Sequence, residues 1–178
     1  MRQLAREQAD VLWGKWWDGM QVEWFKVEVL QDYTGEDKGP SLNNWMDGNR
    51  RRSIELMEAD PSPVFTKMCQ DKLKQGVKLL RVHIVETPYT PYLEWEIELY
   101  KRLSIPRRGE KVHLLNRSDA KDMDIPTGDL MIFDKKRAIV NTYNWHGLMT
   151  HETFYNESDD ITKFLELRKK LIELARPI

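Results

Sequence analysis

The chain has 178 residues, the size of one compact domain that buries a core without disulfides or metals. Its 28 Lys and Arg offset 29 Asp and Glu to leave a net charge of -1, so no global field draws it to nucleic acid, and any such contact must be local. A single cysteine, Cys69, rules out an internal disulfide framework; no stretch approaches the roughly 18 apolar residues of a membrane span, and the start MRQLAREQADVLWGKWW lacks a signal peptide's apolar run, which together predict a cytoplasmic protein with no membrane partner.

Residues 3–20 place Ala9, Leu12, Trp13, Trp16, Trp17 and Met20 at spacings of three and four, which predicts an amphipathic helix. Four of the 7 tryptophans fall near the start, counting Trp24, so this end has to pack against something. A protein partner docked on Trp13, Trp16 and Trp17 is one candidate. The chain therefore divides into a helical N-terminal segment, 1–23, and a single α/β domain, 24–178. Trp24 to Leu30 alternates apolar and polar residues like a strand entering the turn-forming stretch DYTGEDKGPS. A short helix is expected around Leu42–Trp45, and Arg50–Arg52 reads as the solvated surface of the next segment.

From Pro61, PSPVFTKMCQDKLKQG offers Ser62 as N-cap, Pro63 in the first turn and Gly76 as the stop of a helix. Val77 to Val85 is apolar and β-branched enough for a central strand, and a helix leading into such a strand is half of an α/β unit. Tyr92 to Leu99 alternates, but Thr90 and Pro91 are helix-starting residues and the run continues to Leu103, which favours a helix. Val112–Leu115 is a short strand, followed by a polar loop from Asn116 to Thr127. Leu130–Phe133 and Ala138–Tyr143, joined by DKKR, and Leu148–Phe154 form a β-meander. Ser158 or Asp159 caps a last helix whose Ile161, Phe164, Leu165, Leu171 and Ile172 form one apolar face. The expected fold is α/β, a mixed and partly antiparallel sheet flanked by helices.

No complete catalytic or metal-binding motif is present. The chain has no G-x-S-x-G elbow, no Walker loop, no G-x-G-x-x-G turn and no H-E-x-x-H run. His146 and His151, with Glu152, are the one close pair among 4 histidines, too few for a zinc site by themselves. His83 and His113 fall on strands, where neighbours satisfy them. Glu94, Glu96 and Glu98 read as a charged face opposite Trp95, Ile97 and Leu99, and Cys69 as a small core residue. No cofactor and no metal ion is expected.

Five runs occur in a familiar order: FKVEVLQDY, WMDG, GVKLLRVHIVETPYTPYLEWE, GEKVHLLNR and DLMIFD. They resemble an uncharacterised bacterial family, a domain of unknown function often encoded beside helix-turn-helix regulators. The resemblance spans residues 24–178 and is most specific at Arg81–Glu96. It implies a helix-turn-helix regulator as a partner and supplies no activity.

A more distant resemblance is to the phospholipase D-like fold, in which a strand ending in His-x-Lys-x4-Asp precedes one ending in Gly-Ser-x-Asn. In that superfamily the histidine attacks phosphorus while the lysine and asparagine hold the phosphate oxygens. Aligned on Asp134, Asn141-Thr142-Tyr143-Asn144 stands where Gly-Ser-x-Asn is expected. Thr127 occupies the histidine position and Asp129 the lysine position, so the resemblance implies a degenerate domain without phosphodiesterase chemistry.

The first reading is a non-catalytic binding or regulatory module whose former active-site crevice recognises a ligand, a protein partner or nucleic acid. Ligands of α/β sheets gather at the carboxyl ends of strands, which selects Arg81, Tyr92, Trp95, Glu96, Arg117, Asp129, Asp134 and Asn144 as ligand-binding residues. A second is an enzyme with altered chemistry that uses Glu96, Asp129 and Asp134 as an acidic cluster. A third is a partner-dependent regulator of toxin–antitoxin type docked through the tryptophan-rich helix.

Overall fold

The computed structural model describes residues 2–4, 6–33, 35 and 39–178. In chain order the elements are β1 (Arg2–Leu4), α1 (Arg6–Asp18), β2 (Glu23–Glu28), α2 (Pro40–Met46), α3 (Arg50–Glu58) and α4 (Pro63–Lys74). These are followed by β3 (Lys78–Val85), α5 (Pro91–Leu99), β4 (Lys111–Asn116), β5 (Asp129–Phe133), β6 (Arg137–Tyr143), β7 (Met149–Tyr155), α6 (Ser158–Leu174) and β8 (Arg176–Pro177). The strands form one eight-stranded mixed sheet in the order β1-β7-β6-β5-β2-β3-β4-β8. Strands β2, β3 and β4 run parallel, and β5, β6 and β7 are the expected antiparallel meander.

Side chains alternate across a strand, and that alternation gives the two faces of this sheet different characters. One is apolar along most of its length: Phe25, Val27, Val82, Ile84, Leu130 and Ile132 pack against Ile161, Leu167 and Leu171 of α6, and at the start of β2 the buried Glu23 pairs with Arg168 of that helix. The other changes along its length. At one end Trp24, Leu79, Met131, Phe133 and Phe154 are covered by α1 and by Cys69 of α4. At the other end the same face carries Lys26, Glu28, Arg81, His83 and Asp129, with α2, α3 and α5 opposite.

The tryptophans expected to meet a partner protein meet this chain's own sheet. Trp16 and Trp17 are 8% and 1% exposed, and Trp13 stacks on Trp17 with ring centroids 5.1 Å apart. Burying each such ring is worth about 3 kcal/mol, so the apolar stripe that the sequence shows is spent within the fold. The predicted start of this helix is also corrected, because Arg2–Leu4 pairs antiparallel with β7 as an edge strand. Residues 34 and 36–38, within the stretch read as a turn after β2, lie outside the described residues.

Other local expectations change in detail. Ser62 makes no side-chain cap; its N–H donates to Asp60 Oδ1 at 3.1 Å, so Asp60 shapes the entrance to α4. The last helix is capped at Glu157, without a side-chain hydrogen bond, rather than by Ser158 or Asp159. Gly76, at φ 82, ends α4 in the left-handed conformation that lacks a Cβ penalty. Thr90 caps α5 as read, accepting the Leu93 N–H at 3.1 Å. Beyond Leu99 that helix widens into a π turn, Tyr100–Ser104, in which the Ile105 N–H donates to the Tyr100 carbonyl at 2.9 Å. Among the described residues no helix is long and apolar enough to cross a membrane.

Candidate functional site

Parallel pairing sets Lys26 beside Arg81 and Glu28 beside His83. Alternation then turns all four to one face near the carboxyl ends of β2 and β3, where α/β sheets offer a crevice. The helices opposite leave a cleft of about 670 Å³ there, walled by Lys26, Glu28, Arg81, Trp95, Glu96 and Tyr100. Trp95 is held in place by its indole N–H, which donates to Ser41 Oγ at 3.0 Å.

The floor is a network of buried charges. Glu28 Oε1 accepts from Lys26 Nζ at 2.6 Å and Arg81 Nη1 at 2.5 Å, while its Oε2 accepts from the Tyr100 hydroxyl at 2.5 Å. Arg81 also pairs with Glu110 Oε2 at 2.8 Å. Burial works to raise the Glu28 pKa, but Arg81 and Lys26 outweigh it and hold the carboxyl well below its usual range. Glu96 has no such cation at its carboxyl. Burial, then the Glu28 charge, push it well above the usual range. Its Oε2 is buried and has no hydrogen-bond partner.

His83 is fully buried, and burial lowers its pKa, so the ring is neutral. Its Nε2 faces the Leu30 carbonyl at 2.9 Å and its Nδ1 the Tyr100 hydroxyl at 3.0 Å. The satisfied strand histidine expected from the sequence is present, and one of its partners, Tyr100, lines the cleft. Behind Lys26 lies Asp129, wholly buried, whose Oδ1 accepts from the Tyr33 hydroxyl at 2.5 Å and whose Oδ2 accepts from that of Tyr143 at 2.9 Å. Burial raises the Asp129 pKa against the opposing pull of Lys26, 3.8 Å away. Cys69 is equally sequestered, and burial pushes its thiol up to about 12, which removes it as a nucleophile.

The sequence profile of a family described as a domain of unknown function, DUF6879, matches residues 12–178. The chain belongs to that family. None of the curated proteins matches it in sequence. Among solved structures, this DUF6879 domain is similar to Nuc, a phospholipase D family member from Salmonella typhimurium. The two share 12% identity over 96% of this chain and 90% of that one, with a TM-score of 0.52. NucT from Helicobacter pylori aligns at 13% identity over 99% and 96% of the two chains with a TM-score of 0.49. The archaeal chromatin protein TrmBL2 aligns at 11% over 100% and 55% with a TM-score of 0.48. The fold is phospholipase D-like.

Within this DUF6879 domain the residues singled out from the sequence go to different places. Arg81, Trp95 and Glu96 line the cleft, and Asp129 stands behind its lysine. Tyr92 lies in the core beside Trp95, fully buried. Arg117 sits at the end of β4, donating to the Val29 carbonyl and pairing with Glu86. Asp134 is at the opposite end of β5, where its carboxylate accepts from the amides of Gln21, Val22 and Glu23 at 2.6 to 3.1 Å. Asn144 shapes the β6–β7 turn, accepting from His146 and Leu148 N–H groups. Glu96, Asp129 and Asp134 therefore do not make one acidic cluster, since a whole strand separates the two aspartates.

Sequence reasoning passed over Lys26, Glu28, Tyr100 and Glu110. The signal was available in β2 and β3: charged residues at alternate positions of strands otherwise apolar enough to be buried on both faces. Such residues have to be paired below the surface.

Proposed function

We propose that this DUF6879 domain is a non-catalytic binding module on a phospholipase D-like fold, with the cleft between β2, β3 and α5 as its ligand site. The observation that carries the reading is that the cations of the cleft are already engaged. Lys26 and Arg81 both grip Glu28, and Arg108 donates to Thr66 and faces Asp60. Around them the carboxylates of Glu28, Asp60, Glu110 and Asp129 outnumber the cations even without Glu96, so a phosphodiester finds repulsion where phosphoryl transfer needs an unspent positive clamp.

The positions that the fold would use for chemistry support the same reading. Thr127 is exposed and has no imidazole, and Asp129 is an acid where a phosphate-holding lysine would stand. The ligand favoured by such a floor is a neutral or cationic polar molecule with an apolar body to lie against Trp95, Leu56 and Leu99. The test is twofold. Hydrolysis of bis(p-nitrophenyl) phosphate should not exceed the buffer rate, and a thermal-shift panel of neutral and cationic metabolites should give a hit that Leu56→Trp, which fills the cleft, removes. Turnover above buffer that disappears in His83→Gln would sink the non-catalytic reading.

A further inference from the structure

His83 has its tautomer fixed by its surroundings. The Leu30 carbonyl, 2.9 Å from Nε2, can only accept, so Nε2 carries the proton and Nδ1 presents a lone pair. A backbone carbonyl on one imidazole nitrogen is the usual outer support of a histidine that binds metal through the other. That lone pair points into oxygens. Glu96 Oε2 is 3.4 Å away and Glu28 Oε2 3.7 Å, and the three ligand atoms all lie within 4.8 Å of one another. Two ligands bound tetrahedrally at about 2.1 Å from zinc are about 3.4 Å apart, so the His83–Glu96 spacing already matches and the carboxylates need only a small inward movement.

The second observation is independent of this spacing. Glu96 is 6% exposed, and its Oε2 has no hydrogen-bond partner, an arrangement that a folded chain rarely leaves without an occupant. Lys26 and Arg81 do not block the position, because they hold Oε1 of Glu28; its Oε2 faces His83 and accepts from the Tyr100 hydroxyl, a bond that an ion on Oε2 would share or displace. Glu28 and Glu96 line the cleft, which gives an ion its access. Glu28, Glu110 and Asp129 surround Lys26 and Arg81 here, and an ion bound to Glu96 would take the place of a proton on that carboxyl, as ligation by a carboxylate requires.

We propose that Glu28 Oε2, His83 Nδ1 and Glu96 Oε2 form a site for one first-row divalent transition-metal ion at the floor of the cleft. One imidazole with two carboxylates suits zinc, cobalt or manganese better than calcium or magnesium, which favour all-oxygen sets. Three protein ligands leave a coordination position for a molecule in the cleft. The inference rests on reading the cleft as a binding site, but not on any organic ligand being found.

The experiment is a titration of chelator-treated full-length protein with Co2+ alone, followed by visible absorption and equilibrium dialysis. One equivalent should bind with a d–d spectrum of nitrogen and oxygen ligation. Glu96→Gln, nearly isosteric and neutral, and His83→Gln should each weaken binding at least about tenfold, the loss that even an outer-support change produces. His151→Gln, in the histidine pair outside the cleft, should leave it unchanged. Circular dichroism of the metal-free variants shows whether they are folded, and Glu96→Gln carries the test if His83→Gln is not. No saturable spectrum, binding that survives both variants, or binding lost in His151→Gln overturns the proposal. Running the metabolite panel on the same metal-free protein separates the two ideas: a panel hit without metal binding removes the ion site alone, and metal binding without a hit supports it.

Discussion

Replacing Arg81 with methionine removes the cation on which the cleft floor depends while keeping much of its aliphatic volume. Arg81 is 7% exposed and pairs with two buried carboxylates, Glu28 at 2.5 Å and Glu110 at 2.8 Å. Breaking a buried pair by deleting one partner costs about 3–5 kcal/mol, because the remaining charge is left in a low-dielectric site. Urea denaturation is the assay. With a slope of roughly 2 kcal/mol per molar, the midpoint should fall by on the order of 2 M at neutral pH.

The pH dependence carries a second check. In the native protein the Glu28 pKa is held below its unfolded value of 4.5, so its contribution is fully present above that pH and is lost as pH falls through the folded value. Arg81→Met removes the largest cause of that depression, so acid, which protonates the stranded carboxylates, should narrow the gap between variant and parent. A neutral-pH deficit under about 1 kcal/mol, or one that stays constant through the carboxylate range, would refute the account of the floor as a charge network centred on Arg81.

Asp134→Ala should cost about 2 kcal/mol in the same assay, from the lost amide bonds to Gln21, Val22 and Glu23 and from an alanine held at φ 52, while leaving any ligand of the cleft bound with unchanged affinity. Trp17→Ala should lower the melting temperature by roughly 10 °C, as a loss of about 3–5 kcal/mol implies for a chain of this length. Gly128→Ala places a Cβ 1.7 Å from the Asn141 carbonyl oxygen and should destabilise by at least about 2 kcal/mol, whereas Gly39→Ala, with nothing within 4 Å, should stay within about 0.5 kcal/mol. Equal melting temperatures for the two glycine variants would contradict the close approach of β5 to β6.

Most of the fold could be read from periodicity. β2, β3, the meander and α4 to α6 announce themselves through alternation, caps and breakers. The edge strands β1 and β8 could not be read, because three and two residues are too few to show a period and their pairing partners lie far along the chain. The destination of the tryptophans was also hidden: an apolar stripe shows that a helix must be covered without saying by what. Arg81, Trp95 and Glu96 were legible as members of a specific run, but Lys26 and Glu28 become meaningful only once parallel pairing sets them beside Arg81 and His83. Asp134 and Asn144 illustrate the opposite limit. Their positions in a motif suggested chemistry, while their side chains hold backbone amides.

The widened turn after α5 bears on how the cleft wall is phased. In an α-helix every fourth residue lies about 40° beyond the one before it, so Glu96, Tyr100 and Ser104 would spiral off a common line. The π turn at Tyr100–Ser104 takes more residues to complete its circle and runs that drift backwards over its second step. All three residues then line the same cleft. Winding the same residues as a regular α-helix would carry Ser104 about 80° round from Glu96, eight steps of about 100° each, so the widened turn sets how far the wall of the cleft extends.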